Sequence, residues 1–178
     1  MGKKRKKKTK RQQKQSFSTP TDLIIAIDWS KRKKTMFGLV GARKDRLPTI
    51  SKRGSWLKHI SDTKNKQERK AYVSKFPHRL QDIKPNLNII QADFDWQRIK
   101  RTLEEKRPMQ TIIDDAIYYK YNFQNRPGTI LESKAKRHHE LRTLVLLADN
   151  IAYIAREEYE RLKNYEELKR RLRKLGIL

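Results

Sequence analysis

Short apolar segments alternate with amphipathic segments from residue 23 onwards. β-Branched residues are concentrated in Leu23–Trp29, which predicts a buried strand. Thr35–Val40 predicts a second strand, and the short basic segment between the two indicates a hairpin. A further strand is expected at Leu47–Ser51 or at Trp56–Ile60, and the pattern does not decide between these two segments.

Amphipathic segments later in the chain predict helices separated by short strands. The helices are predicted at Lys64–Lys84, Asp93–Lys106 and His138–Leu175, and the strands at Leu87–Gln91, Gln110–Ile117 and Thr129–Glu132. The last helix has one apolar stripe over about ten turns. Its first half is apolar on nearly every side and should be buried, whereas its second half should project or lie on a surface. This order predicts an α/β fold: one mixed sheet with helices on its faces.

Basic residues dominate the composition and suggest the partner. The chain of 178 residues has 45 Lys and Arg against 20 Asp and Glu, a net charge of +25. Residues 1–22 hold nine of these bases and one acid, so the remainder has 36 bases, 19 acids and a charge of +17. We expect a disordered basic arm over 1–22, a folded domain over 23–156 and a projecting helix end over 157–178. The charge predicts a polyanionic partner, above all nucleic acid.

The same composition excludes several classes of protein. The sequence has no cysteine, which excludes a disulfide scaffold, cysteine-ligated zinc and iron–sulfur clusters. Its longest apolar runs are far shorter than the roughly 20 residues that span a bilayer. No apolar stretch follows the basic N-terminus, so we expect no signal peptide. A cytoplasmic protein without a membrane partner is the expectation.

Acidic residues with apolar neighbours are the candidates for chemistry. Asp28 ends the first predicted strand, Asp114 and Asp115 end a later one, and Asp149 lies in the most apolar turn of the last helix. A carboxylate buried without a partner costs several kcal/mol or becomes neutral. Acids that converge at the carboxyl end of a sheet suit Mg²⁺ or Mn²⁺, which prefer oxygen ligands.

Three short motifs resemble the RNase H-like nuclease superfamily. They are Ile27-Asp28-Trp29-Ser30, Glu132-Ser133-Lys134 and the helical segment Leu146-Leu147-Ala148-Asp149-Asn150-Ile151-Ala152. Their order is similar to that of a widespread branch with an I-D-E-S-like first strand and a Q-L-A-D-like last helix. Trp29 stands where that branch has an acid, and Leu146 where it has Gln.

The resemblance implies an RNase H-like fold over residues 23–156 and a set of metal ligands. Those ligands would be Asp28, Asp114 or Asp115, and Asp149, with Glu68 as a looser match. Metal-dependent hydrolysis of RNA or DNA phosphodiesters is the activity implied. Relatives that keep the fold without the ligands leave a binding role open.

Each candidate acid also has a structural interpretation. Asp28 could cap a turn, Asp114 and Asp115 could form a turn, and Asp149 could pair with Arg142, Arg156 or a basic residue from another element. Glu132 could be a surface residue.

Bases and aromatic residues define the expected nucleic-acid contacts. The predicted contacts are Lys3, Lys4, Arg5, Lys6, Lys7, Lys8, Lys10, Arg11, Lys31, Arg32, Lys33, Lys34, Lys134, Lys136 and Arg137. Between residues 118 and 126, aromatic and basic residues interleave. This pattern fits either a base-stacking surface or core packing at alternate positions.

Three functions remain open at this point. The first is a nucleic-acid-binding protein with an RNase H-like domain, acting as a metal-dependent nuclease, with structured RNA as the expected partner. The second is a non-catalytic RNA-binding accessory component of a ribosome or another ribonucleoprotein. The third is a helical interaction module that uses Glu157–Leu175. The sequence leaves the oligomeric state open.

Overall fold

The computed structural model describes residues 21–178. The eight predicted nucleic-acid contacts of the basic arm, from Lys3 to Arg11, lie outside this range. Its strands are β1 (Thr21–Lys31), β2 (Thr35–Arg43), β3 (Ile89–Asp93), β4 (Pro108–Ile113) and β5 (Thr129–Leu131). Its α-helices are α1 (Leu47–Arg53), α2 (Lys66–Ile83), α3 (Trp96–Lys106), α4 (Asp115–Lys120), α5 (Glu132–Ala135), α6 (His139–Leu162) and α7 (Tyr165–Lys174).

The strands form one mixed sheet in the order β3-β2-β1-β4-β5. β2 is antiparallel to both β1 and β3, whereas β1, β4 and β5 run parallel. Helices pack on both faces of this sheet. The prediction of an α/β fold with a mixed sheet, flanking helices and a long helix near the C-terminus is confirmed.

Strand alternation divides the core between the two faces of the sheet. Ile24 and Ala26 of β1 belong to a cluster that includes the buried stripes of α1, α2, α6 and α7. Ile25 and Ile27 point the other way, into a smaller cluster with α3 and α4. This division follows from the two-residue period of a strand. Asp28 therefore lies on the face that packs against α6.

Two expected elements differ in the structure. Leu47–Ser51 belongs to helix α1, so a strand there was wrong: Pro48 lies in the first turn, where its missing N–H removes no helical hydrogen bond. Trp56–Ile60 is a loop that leads into a short 3₁₀ turn. The strand predicted at Gln110–Ile117 ends at Ile113 instead, because Asp114 caps the helix that follows.

The C-terminal helix is broken rather than continuous. α6 ends at Leu162, Lys163 adopts a left-handed conformation with φ of 55°, and Asn164 caps α7 by accepting from Glu166 N and Glu167 N. α7 folds back on the core, where Leu168 and Leu172 are buried. The prediction that residues 157–178 project is therefore wrong, because their apolar stripe has a partner within the same chain.

No helix within residues 21–178 has the length and apolar character needed to cross a bilayer.

Candidate metal centre

Three parallel strands bring three carboxylates together at their carboxyl ends. Ile27 of β1 pairs with Ile113 of β4, which pairs in turn with Leu131 of β5. The residue after each member of this row is acidic, which gives Asp28, Asp114 and Glu132. The backbone N–H of Asp114 donates to the carbonyl of Ile27 at 3.2 Å and holds this alignment past the end of β4.

The three acids form a compact and mostly buried group. One carboxylate oxygen from each of Asp28, Asp114 and Glu132 lies within 4.8 Å of the others. Asp28 and Glu132 are each only 6% exposed, and Asp114 is half-buried. This group is called the acidic centre below.

Local hydrogen bonds orient two of these carboxylates and leave one oxygen of each available. Asp28 Oδ1 accepts from the N–H of Trp29 at 2.6 Å. Asp114 Oδ1 accepts from Ala116 N and Ile117 N, both at 3.0 Å, as the N-cap of α4. Within residues 21–178, Oδ2 of neither residue accepts a hydrogen bond.

The surroundings of Asp28 disfavour the ionised form of its carboxyl. Burial raises the pKa of its carboxyl well above its ordinary range, and the neighbouring charges of Glu132, Asp149 and Asp114 raise it further. The hydrogen bond from Trp29 N lowers this pKa only in part. Clustered buried carboxylates disfavour one another's ionised form unless a cation lies among them.

The donor set fits a hard divalent cation. All three side chains offer carboxylate oxygens, and Mg²⁺ and Mn²⁺ prefer such ligands. A cation at the acidic centre would also relieve the repulsion that raises the pKa of Asp28. Asp28, Asp114 and Glu132 could therefore hold a metal ion.

Asp149 lies beside the acidic centre and is held by a histidine. Asp149 Oδ2 is 2.9 Å from His59 Nδ1. The other ring nitrogen of His59, Nε2, lies 4.0 Å from Glu132 Oε1 and makes no hydrogen bond within the described residues. The hydrogen bond to Asp149 raises the pKa of His59. Asp149 thus adds negative charge to the region while its carboxylate pairs with a ring nitrogen.

A lysine partly neutralises the third acid. Lys136 Nζ is 2.5 Å from Glu132 Oε1, one turn away in the chain. Burial lowers the pKa of Lys136, but the hydrogen bond and the charge of Glu132 outweigh this and raise it overall. Lys136, predicted as a nucleic-acid contact, pairs with Glu132 of the acidic centre.

Two further sequence candidates, like Asp149, lie outside the acidic centre. Asp115 Oδ1 accepts from Ser133 N at 3.2 Å, so it fastens the start of α4 to that of α5. Glu68 accepts from Lys64 N at 2.8 Å and pairs with Lys58. The structure thus places Asp114 rather than Asp115 in the acidic centre. Asp114 is the N-cap of α4 and directly follows Ile113, the last paired residue of β4.

Sequence reasoning gave too little weight to Glu132 and did not find His59. Glu132 follows a short strand just as Asp114 follows β4, so the strand-end argument used for Asp114 applies to it as well. His59 lies in the loop before the Ile60–Asp62 turn, 90 positions from Asp149. No local pattern links two residues at that separation.

The other predicted basic contacts are at the surface. Lys31, Arg32, Lys33 and Lys34 of the β1–β2 hairpin are exposed, as are Lys134 and Arg137. Arg32 pairs with Glu160 at 3.3 Å, and Lys34 Nζ donates to the hydroxyl of Tyr159 at 2.9 Å. These two contacts fasten the hairpin to α6.

No model of a known protein family matches the chain, and a search of curated proteins finds no match.

Proposed function

We propose that the protein is a nucleic-acid-binding, RNase H-like nuclease of the cytoplasm that hydrolyses phosphodiesters with Mg²⁺ or Mn²⁺. The convergence of Asp28, Asp114 and Glu132 within 4.8 Å carries this proposal. It supports the resemblance because the acids occupy the carboxyl ends of adjacent parallel strands. The charge of +17 on residues 23–178 favours a polyanionic substrate, and we propose structured RNA as this substrate.

Each residue of the site has a role in this proposal. Asp28, Asp114 and Glu132 would hold the ion, whose chemistry is to activate a water and to stabilise the leaving oxygen. His59 and Lys136 position Asp149 and Glu132 through the contacts described above. Lys134 is exposed beside Glu132 and would contact a substrate phosphate.

Nuclease assays with one matched pair of variants test the proposal. The wild-type protein should cleave members of a panel of structured and single-stranded RNA and DNA when Mg²⁺ or Mn²⁺ is added, but not in EDTA. Asp28→Asn should abolish cleavage and weaken Mn²⁺ binding measured by calorimetry. Asp115→Asn removes the same charge from the neighbour of Asp114. It should retain both properties, because within residues 21–178 the hydrogen bond that the Asp115 carboxylate accepts comes from Ser133 N.

Two results would contradict the nuclease. One is the absence of cleavage across the panel by wild-type protein with a normal circular dichroism spectrum. The other is an equal loss of activity in Asp115→Asn and Asp28→Asn, since the acidic centre would then not be the responsible site.

A non-catalytic RNA-binding role is the second candidate, and the pairs around the acidic centre favour it. Lys136 neutralises Glu132, and His59 pairs with Asp149, so the protein itself supplies part of the charge that a metal would provide. This candidate predicts no Mn²⁺ binding and co-sedimentation with ribosomal particles through moderate salt. Release of the protein from those particles at low salt would contradict it.

A further inference from the structure

An open cleft lined by aromatic rings lies on the face of the sheet opposite α6. Its volume is about 650 Å³, and its walls include Trp96, Tyr121 and Phe123. Two bases, Lys100 and Arg126, lie at the same cleft. These five residues define the aromatic cleft.

The rings are held in a fixed arrangement by packing against one another. Trp96 and Tyr121 stack at 4.2 Å between centroids with 22° between their planes. Phe123 meets Trp96 edge-on at 5.4 Å. Arg126 donates to the carbonyl of Leu103 at 3.0 Å and lies over the Phe123 ring. Fixed aromatic walls of this kind lose little conformational entropy when a planar ligand binds.

Unpaired amides make the cleft suitable for a polar ring rather than a purely apolar ligand. Gln97, Asn122 and Asn125 also line it, and all three are exposed. Within residues 21–178, their side-chain amides make no hydrogen bond. An amide both donates and accepts, which is what the edges of nucleobases and the ribose 2′-hydroxyl require.

A basic strip connects the cleft with the acidic centre. Trp29 follows Asp28 in β1, and its ring lies 3.3 Å from Lys31 Nζ and 5.4 Å from Lys120 Nζ. Both lysines are exposed, and neither pairs with an acid in the described part of the chain. Lys120 also lies over Tyr121 at 5.2 Å. Unpaired cations between two binding sites are suited to the phosphates of a connecting strand.

We propose that the aromatic cleft binds a nucleobase from a single-stranded segment of the RNA substrate, whose phosphates cross Lys120 and Lys31 toward the acidic centre. The inference deepens the proposed function and rests on it for the direction of the strand. α4 separates Asp114 from Tyr121 and rises about 9 Å over its six residues. The aromatic cleft and the acidic centre are therefore close enough for one short single strand to reach both.

Binding of matched single strands to the full-length protein tests this site without catalysis. Fluorescence anisotropy in EDTA compares a labelled ten-nucleotide RNA, the DNA of the same sequence, and an abasic strand with the same number of phosphates. The RNA should bind at least roughly fivefold tighter than the abasic strand, which is the lower end of what one stacked base contributes. It should bind about threefold tighter than the DNA, as expected for one added hydrogen bond.

Variants locate the base at the cleft. Trp96→Leu should remove the preference for RNA over the abasic strand, whereas Tyr119→Leu should keep it because Tyr119 is 62% exposed and does not line the cleft. Lys120→Glu should weaken binding of both strands about equally and by more than Lys52→Glu, a matched charge change on α1 at the opposite face. Lys120 and Lys52 are both exposed, so neither substitution should disturb the core. Thermal unfolding confirms that each variant is folded.

Distinct outcomes separate this inference from the nuclease proposal. Equal binding of the RNA and the abasic strand by the wild-type protein would overturn the cleft as a base site. Equal binding of RNA and DNA would overturn RNA as its occupant. A base preference that Trp96→Leu removes supports the cleft even if no strand is cleaved when Mn²⁺ is added, and that result contradicts only the nuclease.

Discussion

At the scale of single residues, Asp28 is buried in surroundings that disfavour a negative charge. It is 6% exposed, and two other carboxylates lie within 4.8 Å of it. The N–H of Trp29 is its one hydrogen-bond donor in the described part of the chain. A carboxyl in such a position lowers the stability of the fold, as is expected where a proposed ligand site opposes folding.

Asp28→Asn should stabilise the metal-free protein. The variant keeps an acceptor for Trp29 N and removes one charge from the acidic centre, so we expect a gain of about 1 kcal/mol, or a Tm higher by roughly 2–4 °C. Calorimetric melting in EDTA at neutral pH measures this gain. Mn²⁺ should reverse the order, because it should raise the Tm of the wild-type protein more than that of the variant.

The pH dependence of that gain follows from the direction of the pKa shift. The folded state raises the pKa of Asp28, so the stability it contributes is present at low pH and lost as pH rises through the folded-state pKa. The difference in Tm between variant and wild type should therefore be largest at neutral pH and shrink on acidification. A difference that is independent of pH would contradict the titration of Asp28 as its source.

At the scale of elements, the contact between β2 and α6 places the helix close to the acidic centre. Gly38 is the cross-strand partner of Asp28, and it faces the α6 backbone at Ala148 and Ala152. Without a side chain at this position, the helix can approach closely enough to place Asp149 next to His59. A small residue in one strand thus determines how close a helix lies to the site.

Gly38→Ala should destabilise the fold by roughly 1–3 kcal/mol, the usual effect of overpacking a core. A Cβ there would lie 2.2 Å from the carbonyl oxygen of Ala148 and 2.7 Å from Ala152 N, so the helix must shift. Urea denaturation followed by circular dichroism measures the loss.

Gly41→Ala in the same strand is the matched control. Its Cβ would lie 3.1 Å from Ile25 Cγ1 and 3.4 Å from the terminal methyl groups of Ile89 and Leu23. These neighbours are side-chain atoms rather than backbone, so the cost should stay below about 1 kcal/mol. Similar losses of stability in the two variants would contradict a special role for the Gly38 contact.

At the scale of the whole molecule, charge is divided between two regions of opposite character. The chain has a net charge of +25, while Asp28, Asp114, Glu132 and Asp149 form a local negative region. A positive background attracts a polyanion from a distance, and a negative centre repels its phosphates unless a cation intervenes. The proposed binding of a polyanion and the proposed metal-dependent chemistry can therefore be tested separately.

Binding to RNA should depend steeply on salt, and the basic arm should contribute much of that dependence. Replacing the nine bases of residues 1–22 with Gln in the full-length protein should lower the slope of log K against log salt by at most about 6, at roughly 0.7 per phosphate contact on a single strand. Anisotropy titrations from 50 to 200 mM salt measure the slope. An unchanged slope would show that the arm does not contact phosphate, and the lysines of the β1–β2 hairpin would then have to supply the charge.

Local patterns predicted most elements because the buried face of a strand or helix is evident from the spacing of its own apolar residues. Leu23–Trp29 and the apolar half of α6 are buried as their periodicity indicated. Leu47–Ser51 was undecided because a short apolar run has no clear period, and its Pro48 fits the first turn of a helix. The break at Lys163 was missed because the apolar stripe continues across it, and only packing of α7 on the core shows the change of direction.

The amino-acid sequence by itself determined the basic charge, the α/β class and the unusual position of Asp28, because each depends on composition or on neighbouring residues. Only the tertiary structure decided which acids meet. Strand register placed Asp114 and Glu132 beside Asp28, and a loop brought His59 to Asp149. Register and loop position depend on contacts between distant segments, and no local pattern encodes them.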